Sequence, residues 1–154
     1  MWWKVENSML NYFNGKQIHS IDAKGRVIVP VKFREKLGEQ FVVALGVDRC
    51  LNLYPMDEWE KLLEKLDQNL PGTEDGRRLL TFLSANSEFV EMDKQGRVIL
   101  PQELREEVGI TKDVVSVGAL DKIKVFPKDE WDNIGKNVSI HEIASTAATY
   151  GIRL

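Results

Sequence analysis

Cysteine is almost absent from this chain. Its one copy, Cys50, excludes an internal disulfide and every zinc site built on several thiolates. Flanked by apolar Val47 and Leu51, it reads as a small hydrophobe rather than a reactive thiol. Histidine is nearly as scarce. His19 and His141 stand 122 positions apart (141 − 19), too isolated to suggest a metal site or a nucleophile–base pair. No Walker or dinucleotide-binding glycine pattern occurs, and no nucleophile elbow. The expectation is a protein without catalytic residues, metal or cofactor. No apolar run approaches the roughly 20 residues that span a bilayer. No basic segment leads into an apolar core at the N-terminus, so no secretory signal and no membrane partner are expected. The expected compartment is the cytoplasm.

An excess of basic charge is missing too. Twenty-one Lys and Arg face 24 Asp and Glu, for a net charge of −3 and a pI of about 5.5. That argues against indiscriminate coating of nucleic acid, but the charge is uneven. Residues 16 to 36 hold Lys16, Lys24, Arg26, Lys32, Arg34 and Lys36 against Asp22 and Glu35, a net of +4 (6 − 2). Residues 57 to 75 hold seven acids (Asp57, Glu58, Glu60, Glu64, Asp67, Glu74, Asp75) against Lys61 and Lys65, a net of −5 (2 − 7). The acidic stretch reads as a solvated helix face.

What the chain does have is a duplication. Residues 22–38 read DAKGRVIVPVKFREKLG and residues 93–109 read DKQGRVILPQELREEVG, at an offset of 71 (93 − 22). The identical positions are Asp22/Asp93, Gly25/Gly96, Arg26/Arg97, Val27/Val98, Ile28/Ile99, Pro30/Pro101, Arg34/Arg105, Glu35/Glu106 and Gly38/Gly109. LYPMDEW at 53–59 returns as VFPKDEW at 125–131. Two similar halves packed about a pseudo-two-fold axis follow. So do two copies of whatever surface the repeated polar residues form.

The 154 residues are 43% apolar and 29% charged, enough for one soluble domain with a core. Each repeat shares one grammar. Gln17–Ile21 and Glu88–Met92 alternate as half-buried strands. Gly25 and Gly96 supply a positive φ where the chain reverses. Val27-Ile28-Val29 and Val98-Ile99-Leu100 start return strands. Pro30 and Pro101 end them and open short helices, which bury Phe33 and Leu37 or Leu104 and Val108 and stop at Gly38 and Gly109. Strand pairs follow at Phe41–Leu45 with Leu51–Tyr54, and at Val114–Val117 with Ile123–Phe126. After Pro55 and Pro127 the pattern turns helical, with Asp57 and Asp129 as candidate N-caps. Trp59 and Trp131 read as core anchors.

Only the first unit has a full helical connector, with a second helix over Arg77–Ser84; the second unit has a stub at Trp131–Ile134. Ser139 and Glu142 fit a capping box before a tail helix. The apolar positions of that helix, Ile140, Ile143, Ala144, Ala147 and Tyr150, suit packing on the same chain or on a neighbouring subunit. The expected division is an N-terminal extension at 1–8 and one domain at 9–137, followed by a C-terminal helix at 138–154. The domain comprises repeats at about 9–66 and 87–137 joined by the helical connector. Met9 could start the ordered unit.

Asp-x-x-Gly-Arg in a tight loop, followed by an apolar strand, Pro and a short helix carrying Arg, resembles the AbrB superfamily of swapped-hairpin DNA-binding proteins. Two tandem copies, IDAKGRVIVPVKFR and MDKQGRVILPQELRE, resemble the MraZ family of bacterial transcriptional regulators over about residues 9 to 134. The resemblance implies an α+β, β-rich fold: a pseudo-two-fold swapped-hairpin barrel with short helices. It also implies rings of about eight to twelve subunits. The paired motifs would bind double-stranded DNA at repeated sites upstream of the family's own division and cell-wall operon, usually repressing it at the nucleoid.

The residue chemistry agrees with that picture. Arg26 and Arg97 carry a planar fork that fits phosphate or the O6 and N7 of guanine. Lys24 and Lys94 suit phosphate, and Gln95 can read a base edge. Gly25 and Gly96 allow close approach of the backbone. Asp22 and Asp93 would repel phosphate, so they are assigned to holding the loop or aiming the arginine. Arg34, Arg105 and His19 complete the candidate DNA-binding set. For the two helix arginines the open alternative is structural pairing with neighbouring acids, and for His19 an ordinary half-exposed strand position. The competing function is an antitoxin-like or scaffolding module of the same superfold.

Overall fold

Each turn built from Asp, Gly and Arg closes on its own local hydrogen bonds, and the other repeat backs its far side. The computed structural model describes residues 12–154. The expected extension at 1–8 and start at Met9 lie outside that range.

In chain order the elements are β1 Lys16–Ser20, β2 Arg26–Ile28, α1 Val31–Leu37, β3 Gln40–Leu45, β4 Leu51–Pro55, α2 Met56–Asn69 and α3 Glu74–Ala85. The second repeat runs β5 Ser87–Glu91, β6 Arg97–Ile99, α4 Gln102–Val108, β7 Asp113–Ala119, β8 Lys122–Pro127 and α5 Lys128–Asn137, and α6 Ile140–Thr149 follows. The fold is α+β and strand-rich, as expected. Six strands form one antiparallel sheet in the order β1-β7-β8-β4-β3-β5, and β2 pairs with β6 in a separate ribbon.

Two pairings reveal the symmetry. In the ribbon Val27 stands opposite Val98, its own counterpart 71 residues on (98 − 27). In the large sheet Asn52 stands opposite Lys124, its counterpart at offset 72 (124 − 52). The pseudo-two-fold axis therefore passes through both sheets. Each repeat also gives its first strand to the hairpin of the other: β1 pairs with β7, and β5 with β3, both antiparallel. The repeats are interlocked rather than side by side. The shared core lies between ribbon and sheet. It includes Val27 and Val98 from the ribbon strands and Val29 and Leu100 just after them, Phe41, Val43, Leu53, Val114, Ile123 and Val125 from the sheet, and Phe33, Leu37, Leu104 and Val108 from α1 and α4.

The outer face of the sheet is covered unequally. Tyr54 meets Trp59 at 5.4 Å between ring centroids, and their counterparts Phe126 and Trp131 meet at 5.3 Å. Leu83 of α3 also packs on the group formed by Val42, Ala44 and Trp59, so Trp59 is buried. Trp131 is only half-buried. The second repeat's helix runs from Lys128 to Asn137, longer than the expected stub. Asp57 and Asp129 do not cap their helices. Pro55 and Pro127 hold the cap positions, and the two acids sit in the first turn, where they favour the positive end of the helix dipole. The Ser139–Glu142 capping box is present. Behind it Ile140, Ile143 and Tyr150 remain exposed on this chain. Cys50 is buried, and burial pushes its thiol up to about 11, as befits an inert hydrophobe.

Backbone hydrogen bonds tie the loops to each other. Val29 N–H donates to the Gly96 carbonyl at 2.8 Å, and Leu100 N–H to the Gly25 carbonyl at 2.9 Å. Both glycines sit at φ +79°. A Cβ on Gly25 would lie 2.7 Å from a guanidinium nitrogen of Arg105, and one on Gly96 would overlap the guanidinium of Arg34. Gly25→Ala should therefore lower stability by about 1–3 kcal/mol from the positive φ alone, with a further steric share. Adding Arg105→Ala should restore only the steric share. Denaturant titration of both variants measures the split.

Candidate nucleic-acid interface

The two loops are chemically the same object. Asp22 Oδ1 accepts from the N–H groups of Lys24 and Arg26, each at 2.9 Å, and Oδ2 accepts from Arg26 Nε at 2.7 Å. Asp93 repeats this with Gln95 N–H and Arg97 N–H at 2.9 Å and Arg97 Nε at 2.8 Å. Gly25 N–H donates to the Asp22 carbonyl and Gly96 N–H to the Asp93 carbonyl, both at 3.0 Å. Each carboxylate thus closes an Asx-type turn and fixes the inner edge of a guanidinium. The Nε edge of the arginine is occupied, which leaves its terminal nitrogens as the outward part of the fork. The N–H of Arg26, more than any other group, holds the Asp22 carboxyl below the usual aspartate range, and the N–H of Arg97 does the same for Asp93. The two acids stay ionised through the neutral range, as the loop geometry requires.

The ribbon then brings the loops together. Arg26 stands opposite Ile99, and Ile28 opposite Arg97. Val27 and Val98 point inward and are buried, so Arg26, Ile28, Arg97 and Ile99 share the outward face. Exposed Ala23 and Lys24 flank this face at the tip of one loop, and exposed Lys94 and Gln95 at the other. With Arg34 and Arg105 included, six cations meet two acids in and behind the loops, a local +4 (6 − 2) on a chain of net −3.

Arg34 and Arg105 are not held by neighbouring acids, one of their two expected roles. Arg34 Nε donates to the Val29 carbonyl at 2.9 Å, and Arg105 Nε to the Leu100 carbonyl at 2.8 Å. Their partners are carbonyls, not neighbouring acids. Both side chains are half-buried, with each guanidinium against the loop glycine of the other repeat. They brace the loops from behind.

His19 lies on β1 of the large sheet. It pairs with Val114, and its Nε2 lies 2.8 Å from Ser116 Oγ. In the second repeat the corresponding place, opposite Phe41, is filled by Val90, which packs on the core. Nδ1 has no partner among the described residues. Burial lowers the His19 pKa.

Sequence reasoning singled out the loop residues but passed over Ile28 and Ile99. The signal was available. Once Val27 is inward, a period of two puts Arg26 and Ile28 on the same outer face. No group of three or more His, Cys, Asp or Glu suited to a metal ion occurs among the described residues, and no described helix is long and apolar enough to cross a membrane.

Comparison with known proteins agrees with the duplication. The family model described as "MraZ protein, putative antitoxin-like" matches the chain twice, over residues 12–83 and 82–150. A protein named transcriptional regulator MraZ from Lachnoclostridium phytofermentans is 44% identical over 140 residues, covering 91% of this chain and 98% of that protein. Its namesake from Acetivibrio thermocellus is 45% identical over 143 residues, covering 91% and 99%. A third of the same name, from Natranaerobius thermophilus, is 47% identical over 123 residues, covering 79% and 85%.

The placement of His19 carries a pH dependence. With its folded pKa below the ordinary 6.5, the unfolded chain takes the proton more readily. Stability is full above that value and declines as pH falls through it towards the folded pKa. Thermal melts between pH 7.5 and pH 5.5 should show that decline in the wild type, and His19→Val, which copies Val90, should flatten it.

Proposed function

The chain belongs to the MraZ family, and from that premise we propose that it is a sequence-specific DNA-binding transcriptional regulator. The observation that carries this reading is the pairing of β2 with β6. It sets two carboxylate-anchored arginines on one outward face of a two-stranded ribbon. A ribbon of this kind fits the major groove, which is about 12 Å wide. Arg26 and Arg97 read guanine edges, while Lys24 and Lys94 hold phosphate. Gln95, where the first loop has Lys24, reads a base edge. Asp22 and Asp93 aim the arginines, Gly25 and Gly96 let the backbone approach, and Arg34 and Arg105, which brace the loops, complete the DNA-binding set with His19.

The regulated DNA, in this proposal, lies upstream of the protein's own operon, carries repeated sites and is repressed when bound at the nucleoid. Residues 9–137 act as one DNA-binding unit, and rings of about eight to twelve subunits present several units at once. One unit offers little positive charge, so affinity comes from linked engagement, which raises avidity by about 10² to 10⁴.

A second reading draws on the exposed apolar residues of α6, Ile140, Ile143 and Tyr150. They suit an antitoxin-like grip on a protein partner, and a small protein that co-purifies stoichiometrically through α6 would favour it.

Fluorescence anisotropy on labelled DNA from just upstream of the gene tests the main reading. Wild type should bind it over scrambled DNA. Arg26→Ala and Arg97→Ala should each cost about 1–3 kcal/mol per engaged motif, and the double variant should lose discrimination. Comparable binding by the double variant would reduce the repeated motif to scaffold. A variant held monomeric, with both loops intact, should bind at least about 10²-fold more weakly. Tight binding by a monomer verified in the ultracentrifuge would refute the avidity argument.

A further inference from the structure

We propose that Ile28 and Ile99 are base-reading residues of the same interface and contact thymine methyl groups in the major groove. This rests on the DNA-binding reading above and adds to it a base preference that arginine alone does not supply.

The ribbon register carries the inference. Arg26 faces Ile99 across one rung, and Ile28 faces Arg97 across another. The outward surface is therefore a two-by-two checkerboard in which guanidinium and apolar groups alternate. Ile28 is 48% exposed and Ile99 59% exposed, although both stand beside Arg26 and Arg97 on the outward face of the ribbon. The same large apolar residue sits at this place in both repeats. A strand requirement alone does not account for it, because threonine is equally β-branched and would suit a wet, cationic surface better.

The chemistry of the groove does account for it. Among the base edges in the major groove, the outstanding apolar group is the C5-methyl of thymine. Isoleucine is stiff at χ1, so its methyl groups are held in place by the strand itself. Opposed side chains across a ladder lie about 4.5–5.5 Å apart at Cβ, the scale of one or two base steps. An arginine reading guanine thus sets the neighbouring isoleucine against the next base edge.

A second copy of this chain is the rival occupant. Docking the same face of another copy would bring Arg26, Arg97, Lys24 and Lys94 against their own kind, and that repulsion favours the anionic partner.

The test replaces each thymine of the bound upstream duplex, one at a time, with deoxyuridine. That change removes one methyl group and leaves every hydrogen-bonding edge intact. Wild type should weaken roughly fourfold per engaged motif at the contacted positions and be indifferent elsewhere. In Ile28→Ala, Ile99→Ala and the double variant, those positions should lose their sensitivity while binding still depends on Arg26 and Arg97. The full-length assembly should keep its mass in the ultracentrifuge.

Wild type that binds the duplex but ignores every deoxyuridine overturns the inference and leaves the DNA reading standing. So do isoleucine variants that retain the full thymine preference. A change of assembly mass in the variants assigns the two residues to a subunit contact instead, which also overturns it. Wild type that binds no upstream DNA removes the DNA reading and the inference together. The deoxyuridine series needs only wild-type protein, so a folding defect in a variant cannot mask the answer.

Discussion

The antiparallel pairing of β2 with β6 is the constraint on which the rest depends. Three residues on each strand form it, with Val27 against Val98 at the axis. Few hydrogen bonds hold a ladder that short, and an isolated two-stranded ribbon is marginal in water. Burial holds this one. Val27 and Val98 are almost completely buried, as are the adjoining Val29 and Leu100. Each apolar side chain fully removed from water contributes about 1.5–3 kcal/mol. Solvent screening leaves exposed ion pairs such as Arg26–Asp22 contributing far less. The inner face of the ribbon thus stabilises it, and the outer face is left free for recognition. Asp22 and Asp93 serve direction more than stability.

Most of the local structure was legible in the sequence because its causes are local. Asp22 to Arg26 is a turn for reasons contained in those five residues. Pro30 and Pro101 mark strand end and helix start, and the four-residue spacing of Phe33 and Leu37 marks the buried side of α1. What escaped depends on which segments meet. Nothing near Arg34 in the chain points to Gly96, so neighbouring acids such as Glu35 were the natural guess. The structure pairs it with Val29 and the opposite loop instead. His19 precedes Asp22 by three positions (22 − 19) and takes the half-exposed strand position that was one of its two expected places, but its partner across the sheet could not be read locally. Its strand runs along the large sheet, and the comparison that explains it is with Val90. Ile28 was hidden for a different reason. Val27-Ile28-Val29 is uniformly β-branched, so the in–out alternation shows in the backbone and not in residue type.

The two repeats have kept the axis and varied the periphery. Val27 and Val98, Gly25 and Gly96, and Arg34 and Arg105 are identical pairs, and each touches the other repeat. A change in one of them strains both halves at once. Away from the axis the halves differ freely: Lys24 against Gln95, His19 against Val90, and a doubled helical cover over Trp59 against the single helix beside Trp131. The reading face therefore has two identical arginines and two identical isoleucines set in unlike surroundings. Such a face is not a palindromic reader. The two loops carry equal charge but place their lysine one position apart: Ala23-Lys24 in the first answers to Lys94-Gln95 in the second. In the DNA-binding function proposed above, a surface of that kind has a direction on DNA.

Direction matters for assembly. A symmetric reader gains nothing from the order of its half-sites, whereas a directional one must meet each site in the same sense. Subunits related by head-to-tail rotation present their ribbons in one sense, and heterologous contacts that close do this. The apolar residues left bare on α6, and the half-covered Trp131, supply unequal surfaces on the two repeats, which a head-to-tail contact requires and a self-complementary one does not. The divergence that makes the ribbon directional and the divergence that makes the outer helices unequal are thus two results of one duplication.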